Sequence, residues 1–165
     1  MNITFRAMTA ADWASVAEIY KQGIETGNAT FQQSIPAWED WNNGHINTCR
    51  IVVEVDNEVA GWAALSAVSS RPVYAGVAEV SVYVGSKYRG LQLGTTLLAQ
   101  MITESESQGF WTLQAGIFPE NKASIAIHTK SGFREIGYRE KVAKMNAVWR
   151  NTVLMERRST VAGIA

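Results

Sequence analysis

A strict alternation of apolar and polar positions, followed by a change to helical spacing, marks the centre of the chain. Residues Glu79–Val84 read E-V-S-V-Y-V, and alternation of polar residues with β-branched ones is typical of a strand. From Leu93 to Met101 the large apolar residues recur at positions that share one face of a helix. The pattern therefore predicts a strand, a glycine-bearing turn from Gly85 to Gly94 and a helix, in that order.

The same pattern along the rest of the chain predicts further strands and helices, with no repeats and no linker. Residues Ile3–Met8 alternate as a first strand, and Thr9-Ala10-Ala11-Asp12 is a capping box that opens a helix. Pro36 suits the first turn of a second, short helix. We expect one domain over residues 1–157 and a loose tail over residues 158–165. The other predicted elements are strands at Ile51–Val55, Val59–Leu65, Trp111–Ile117, Phe133–Ala143 and Ala147–Glu156, and helices at about Leu91–Ser107 and Pro119–Lys130.

The turn between the central strand and its helix has the chemistry of an anion site. It carries two cations, Lys87 and Arg89, and three glycines. Free backbone N–H groups and the helix dipole attract a negative group to a helix N-terminus, and glycine lets that group approach closely. The phosphate-binding loop needs Lys and then Ser or Thr after its last glycine, where this chain has Leu91 and Gln92. The glycine spacing also fails to fit the dinucleotide fingerprint.

The residues Arg89-Gly90-Leu91-Gln92-Leu93-Gly94 resemble motif A of the GNAT acetyltransferase superfamily, Gln/Arg-x-x-Gly-x-Gly/Ala after a strand. In that family the turn wraps the pyrophosphate of acetyl-coenzyme A. The chain departs from the motif at Gln92, where the family usually has glycine, and a non-glycine residue does not easily hold a positive φ. The element order is also similar to that of the GNAT fold. The resemblance therefore implies an α/β (α+β) fold, with a mixed, mostly antiparallel sheet of about seven strands flanked by four helices.

A second stretch, Pro119–Phe133, resembles motif B of the same family. On a helix, Asn121, Ser124 and His128 fall at i, i+3 and i+7 and share one face. In the family the Asn side chain hydrogen-bonds the pantetheine arm, and most members have Tyr at the position of His128. A His there, with Glu79 opening the central strand, resembles the phosphinothricin acetyltransferase group. That group includes the methionine sulfoximine and methionine sulfone acetyltransferases.

The resemblance implies a reaction and a set of site residues. The reaction is direct acetyl transfer in a ternary complex, from acetyl-coenzyme A to the α-amino group of a small amino acid such as methionine sulfoximine, methionine sulfone or phosphinothricin. It also implies no metal, and a homodimer whose active sites take parts from both chains. The implied cofactor contacts are Val82, Tyr83, Val84, Arg89, Gly90, Leu91, Gln92, Leu93, Gly94, Thr95, Asn121 and Lys130, and the implied substrate contacts are Phe31, Arg71, Pro72, Val73 and Tyr74.

The chemistry of acetyl transfer explains why these residue types are needed. An α-amino group has a pKa of about 8, so it is mostly protonated near neutrality and must lose a proton before it attacks. Glu79 is the candidate base, and His128 is the candidate acid for the departing thiolate, although His128 could instead act as base or orient the substrate. In the family, backbone N–H groups near Val82 stabilise the oxyanion. Arg71 can bind a carboxylate or phosphinate bidentately, which Lys does less well.

Composition and charge narrow the choice of partners. Fifteen basic and fifteen acidic residues cancel, which gives no support to a nucleic-acid or membrane partner. The single cysteine, Cys49, excludes an internal disulfide and fits a reducing compartment. The N-terminus lacks the pattern of a signal peptide, and no apolar run approaches about 18 residues. We therefore expect a cytoplasmic protein with no membrane partner.

Two alternatives remain open at this point. The same fold could act on another amine, namely a polyamine, a protein N-terminus or an aminoglycoside. The last two usually need an acidic groove for a cationic partner, and the loop that carries Arg71 indicates the opposite charge. An alternative from a different class is a catalytically silent module that binds acetyl-coenzyme A. The presence of both Glu79 and His128 favours an enzyme over such a module.

Overall fold

The computed structural model describes all 165 residues and contains one seven-stranded sheet with helices on both faces. None of the helices combines the length and the apolar composition needed to cross a membrane. The strands are β1 (Ile3–Ala7), β2 (Ile51–Val55), β3 (Glu58–Ala67), β4 (Val77–Val84), β5 (Thr112–Ile117), β6 (Arg134–Met145) and β7 (Val148–Arg158), and the helices are α1 (Trp13–Glu25), α2 (Trp38–Gly44), α3 (Leu93–Ser107) and α4 (Lys122–Lys130).

The strands lie in the order β1-β2-β3-β4-β5-β7-β6, and every neighbouring pair is antiparallel except β4 and β5. This is the predicted element order and the predicted mixed, mostly antiparallel sheet. Three helices begin later than predicted. Helix α2 begins at Trp38 with Ala37 as its N-cap, so Pro36 precedes the helix instead of lying in its first turn. The long helix α3 begins at Leu93 rather than Leu91, because Gln92 has a left-handed backbone conformation. Helix α4 begins at Lys122 rather than Pro119, because Asn121 is its N-cap.

The alternation of side chains in β2 and β3 divides the core between the two faces of the sheet. On one face, Val52 and Trp62 are buried under α1 and α2. On the other face, Val53 and Leu65 are buried under α3. Both strands are therefore covered on both sides, and they hold the neighbouring β4 in a fixed position at the centre of the sheet.

The sheet opens between β4 and β5. These two strands pair only over their first residues, with Val77–Glu79 opposite Thr112–Gln114. Beyond Glu79, β4 continues along β3, and β5 continues along β7. From Val80 to Val84 the edge of β4 that faces β5 therefore has no strand partner. A ligand placed in the opening can reach backbone groups that a closed sheet would use for its own hydrogen bonds.

The C-terminal residues pack more closely than the predicted loose tail. Strand β7 extends to Arg158, and Ser159 and Ala162 are buried. The hydroxyl of Ser159 donates to the carboxylate of Glu106, and the guanidinium of Arg158 donates to the carbonyls of Ser159 and Ala162, each at 2.9 Å. The bond from Ser159 to Glu106 joins residues 53 positions apart, and no local pattern in the sequence indicates it.

Candidate active site

A cavity of about 350 Å³ lies where β4 and β5 separate, and we call it the β4–β5 cavity. Its walls are formed by residues 29–32, 79–83, 115–118, 121, 124, 128 and 152. The polar face of β4, which the sequence pattern predicted, supplies Glu79, Ser81 and Tyr83. Phe31 comes from the segment between α1 and α2, and His128 comes from α4. The cavity thus brings together both predicted catalytic residues and one predicted substrate contact.

A groove of about 390 Å³ lies beside the cavity, between the N-terminus of α3 and the side of α4, and we call it the α3–α4 groove. Its predicted members include Arg89, Gly90 and Gly94 from the turn, together with Gln92 and Leu93. The turn and α4 are in close contact there. A Cβ atom added to Gly94 would lie only 3.1 Å from the side chain of Ile127. Four residues line both the groove and the cavity, and they are Val82, Asn121, Ser124 and His128.

The backbone of the turn has the conformation that glycine would normally supply. Gln92, at the N-cap of α3, has φ 58° and ψ 29°, and Gly90 has φ 85°. A left-handed conformation is uncommon for a residue with a side chain. Gln92 therefore adopts the left-handed conformation that glycine would favour, although it carries a side chain. Of the two cations in the turn, only Arg89 lines the groove, and Lys87 does not.

Glu79 is half-buried at the inner end of the opening, next to Gly116 of β5. Burial raises the pKa of its carboxyl above the ordinary value of 4.5, because desolvation disfavours the charged form. A hydrogen bond from the Gly116 backbone and the positive charge of Arg139 lower the pKa and offset part of this effect. A carboxylate whose pKa lies closer to neutrality binds a proton more readily, which suits a general base.

His128 is buried at the boundary between the cavity and the groove. Its Nδ1 atom lies 2.7 Å from the carbonyl oxygen of Ser124. A carbonyl oxygen can only accept, so Nδ1 carries the hydrogen and Nε2 keeps a free lone pair. Desolvation lowers the pKa of His128 below 6.5, while the Ser124 carbonyl opposes this shift. At pH 7 the imidazole is therefore mostly neutral, with a proton acceptor at Nε2.

Some predicted site residues lie outside both the cavity and the groove of this chain. Arg71, Pro72, Val73 and Tyr74 form an exposed turn between β3 and β4, in which the guanidinium lies 5.6 Å from the Tyr74 ring centroid. Three predicted cofactor contacts also lie outside both: Lys130 is exposed, Leu91 packs against the core and Thr95 is half-buried on α3. A fourth, Tyr83, lines the cavity rather than the groove.

The site also contains residues that sequence reasoning missed. Phe118, just after β5, packs edge-on against Phe31 with ring centroids 4.8 Å apart, and both rings line the cavity. Its position directly before motif B was the available signal. Thr152 of β7 also lines the cavity. Nothing in the sequence indicates this position, because it depends on the pairing of β7 with β5. Tyr88 and Ile127 are further members of the groove.

Comparison with known proteins agrees with this geometry. A model of the acetyltransferase (GNAT) family matches residues 13–133. The phosphinothricin N-acetyltransferase of Streptomyces viridochromogenes is 28% identical over 159 residues, which cover 94% of this chain and 87% of that relative. The L-methionine sulfoximine/L-methionine sulfone acetyltransferase of Pseudomonas aeruginosa is 26% identical, with 94% of each chain covered.

A solved structure extends the comparison to the whole fold. It is a GNAT superfamily phosphinothricin acetyltransferase from Sinorhizobium meliloti in complex with AcCoA, with a TM-score of 0.89 at 26% identity. The match covers 100% of this chain and 92% of that chain. The fold predicted from the element order is thereby confirmed, as is the resemblance based on motifs A and B.

Proposed function

The chain belongs to the acetyltransferase (GNAT) family, and we propose that it transfers the acetyl group of acetyl-coenzyme A to the α-amino group of a small amino acid. Methionine sulfoximine, methionine sulfone and phosphinothricin are the proposed acceptors, in line with the names of its relatives. One observation carries the proposal. The groove at the N-terminus of α3 meets a small cavity at the open edge of β4, and His128 lines both.

The α3–α4 groove is the proposed site of acetyl-coenzyme A. The N-terminus of α3 presents backbone N–H groups to the pyrophosphate, and Arg89 supplies a positive charge. The pantetheine arm then runs between β4 and α4, past Asn121. In this position the thioester reaches the open part of β4 near Val82, where backbone N–H groups can stabilise an oxyanion. The related structure that holds AcCoA supports this assignment.

The β4–β5 cavity is the proposed site of the acceptor. Its volume of about 350 Å³ is at the lower end of the range for ligand pockets and suits a small molecule. Glu79 is the only acidic residue in its lining, so the cavity does not form the acidic groove that a protein N-terminus or an aminoglycoside usually needs. A small zwitterionic amino acid fits this charge distribution better than a polycation does.

The proposed mechanism moves two protons. Glu79 takes the first from the ammonium group of the acceptor, and the free amine attacks the thioester carbonyl. The new C–N bond gives a tetrahedral intermediate whose nitrogen still carries an extra proton. Neutral His128 accepts that proton at Nε2 and passes it to the thiolate as the C–S bond breaks. His128 lies at the boundary of the cavity and the groove. This position supports the transfer, since the proposal puts the acceptor nitrogen and the coenzyme A sulfur at that boundary.

No acetyl-enzyme is part of the proposal. Cys49 is buried outside the cavity and the groove, and burial raises the pKa of its thiol to about 11. A thiol that stays protonated is a poor nucleophile, so Cys49 acts as a small core residue. A lone reduced cysteine also supports the cytoplasm as the proposed location.

A homodimer is the proposed assembly, and it gives Arg71 a role. Within one chain the Arg71 turn lies outside the cavity, with Val73 and Tyr74 exposed. Trp149, at the end of the β6–β7 hairpin, is also exposed. A second copy that covers these apolar side chains could place Arg71 at the partner's cavity. Mixing Arg71→Ala with His128→Phe then restores about one quarter of wild-type activity, because about half of the dimers formed are heterodimers and each heterodimer carries one intact site out of two. No recovery on mixing would contradict a shared site.

The test of the proposed function is the release of free thiol from acetyl-coenzyme A with three sets of amines. The first contains methionine sulfoximine, methionine sulfone and phosphinothricin; the second contains the common amino acids; the third contains spermidine and a peptide N-terminus. We expect turnover with the first set. Turnover confined to the third set would refute the proposal that the acceptor is a small amino acid. Calorimetric binding of acetyl-coenzyme A without turnover of any amine would favour the silent module.

A further inference from the structure

Arg150 of β7 is bonded to a chain segment more than 120 positions away. Its guanidinium donates to the carbonyl oxygen of Gly27 at 2.9 Å and to the side-chain oxygen of Asn28 at 2.8 Å. It also lies 3.4 Å from the carboxylate of Glu120, and its side chain is only 15% exposed. A charged side chain that is this buried needs several hydrogen bonds to offset its desolvation, and these three partners supply them.

The same guanidinium supports an aromatic wall of the β4–β5 cavity. It lies 4.0 Å from the ring centroid of Phe118, which packs edge-on against Phe31. Both rings line the cavity, whereas Arg150 does not. The guanidinium therefore supports the cavity from behind at two places. It contacts the ring of Phe118, and it holds Gly27 and Asn28, which directly precede the lining residues 29–32.

The segment that Arg150 holds has no helix or strand to fix it. Residues 26–37 connect α1 to α2, and within them Gly27 has a positive φ of 72°. The side-chain amide of Asn121 donates to the carbonyl of Asn28 at 3.1 Å, which joins the segment to the N-terminus of α4. Side chains from β7 and α4 thus bind the carbonyls of two successive residues. Without them, these carbonyls would depend on solvent for their hydrogen bonds.

We propose that Arg150 is a positioning residue for the acceptor, because it anchors Gly27 and Asn28 and thereby fixes the cavity wall formed by residues 29–32 and Phe118. This inference rests on the proposed function, in which the β4–β5 cavity holds the amine. Arg150 contacts none of the turn residues that line the α3–α4 groove. Its loss therefore affects the acceptor more than acetyl-coenzyme A.

The test compares Arg150→Met and Arg150→Lys with a matched control, Arg157→Met. Arg157 lies on the same strand, is similarly buried at 23% exposure and pairs with Glu106 at 3.3 Å, but it touches neither the cavity nor the groove. We expect Arg150→Met to raise the KM of the acceptor about tenfold or more, with the Kd of acetyl-coenzyme A within about twofold of wild type. Arg150→Lys keeps the charge but not the fork of donors, so its KM is intermediate.

The pattern of kinetic constants separates positioning from general stability. Arg157→Met should leave the KM of the acceptor and the Kd of acetyl-coenzyme A unchanged. It should lose about as much thermal stability as Arg150→Met. An unchanged acceptor KM in Arg150→Met, or equal increases in Arg150→Met and Arg157→Met, would overturn the proposal.

Hydrogen exchange of the ligand-free protein tests Arg150 independently of any acceptor. Amides of residues 27–32 should exchange faster in Arg150→Met than in wild type or in Arg157→Met. Unchanged exchange there would contradict the role of Arg150. If the wild type acetylates no amine, the proposed function fails, but this measurement still decides whether Arg150 holds the segment.

Discussion

The ammonium group of Lys87 lies 3.2 Å from the carboxylate of Glu58, and the hydroxyl of Tyr88 donates to the same carboxylate at 2.9 Å. Lys87 is thereby paired with the first residue of β3 and does not line the α3–α4 groove. Arg89, two residues later, lines the groove and forms no ion pair within the chain. The two cations of motif A are therefore not equivalent.

We expect Arg89→Ala to raise the Kd of acetyl-coenzyme A about tenfold, because it removes a charge-assisted bond to the pyrophosphate. Lys87→Ala changes the net charge equally but should alter the Kd less than about twofold. Isothermal titration measures both values. Equal losses in the two variants would mean that the turn acts through its overall charge rather than through Arg89.

Replacing His128 tests the proton transfer to the thiolate. His128→Gln removes the free lone pair at Nε2, so kcat should fall about 10²–10⁴-fold, while the KM of acetyl-coenzyme A changes little. The chain's other histidine provides the control. His45 stacks on Trp41 and lies outside the cavity and the groove, so His45→Gln should keep wild-type kcat. A kcat for His128→Gln close to wild type would exclude His128 from the reaction.

The pH dependence of kcat follows from the two pKa shifts. Glu79 and His128 both act in their deprotonated forms, so activity is lost as pH falls through each pKa. The pKa of Glu79 lies above 4.5 because of burial, and burial places the pKa of His128 below 6.5. We therefore expect two inflections where kcat falls at acidic pH, one below pH 6.5 from His128 and one above pH 4.5 from Glu79.

Glu79→Gln provides the matching experiment. Gln keeps the shape of the side chain but cannot accept a proton, so kcat should fall about 10²–10⁴-fold and the acid limb should lose one of its two inflections. The limb is measured as kcat at saturating acceptor. An unchanged limb in Glu79→Gln would show that another group is the base.

The sequence predicted the features that depend on residues close together in the chain. The alternation around Glu79 placed β4, and the turn from Arg89 to Gly94 placed the groove, because each feature depends on neighbours in the chain. The sequence could not predict contacts that depend on the packing of distant elements. The bond from Arg150 to Gly27 joins residues 123 positions apart, and Ser159 reaches Glu106 across 53 positions.

The Arg71 turn shows a different limit of prediction. A resemblance assigns a residue to a site without saying which chain supplies it. In a single chain Arg71 lies on the surface, stacked on Tyr74. Its role as a substrate contact therefore depends on the proposed dimer, and no pattern within one sequence specifies the partner that would complete a site.

Gln92 stores backbone strain at the start of α3. Its left-handed conformation costs a residue with a side chain about 1–2 kcal/mol, and glycine avoids this cost but loses more entropy on folding. Gln92→Gly should therefore stabilise the protein by about 0.5–1 kcal/mol in urea unfolding. The Kd of acetyl-coenzyme A should stay close to wild type, because the backbone N–H is retained.

The same substitution elsewhere on α3 gives a control with the opposite sign. Gln100 is exposed in the middle of the helix, where Gln100→Gly should cost about 1 kcal/mol. A branched residue at the strained position, as in Gln92→Val, should also destabilise the fold, since its side chain is poorly suited to a positive φ. If Gln92→Gly lost as much stability as Gln100→Gly, the turn would not be strained, and the glycine usual at this position of the motif would need another explanation.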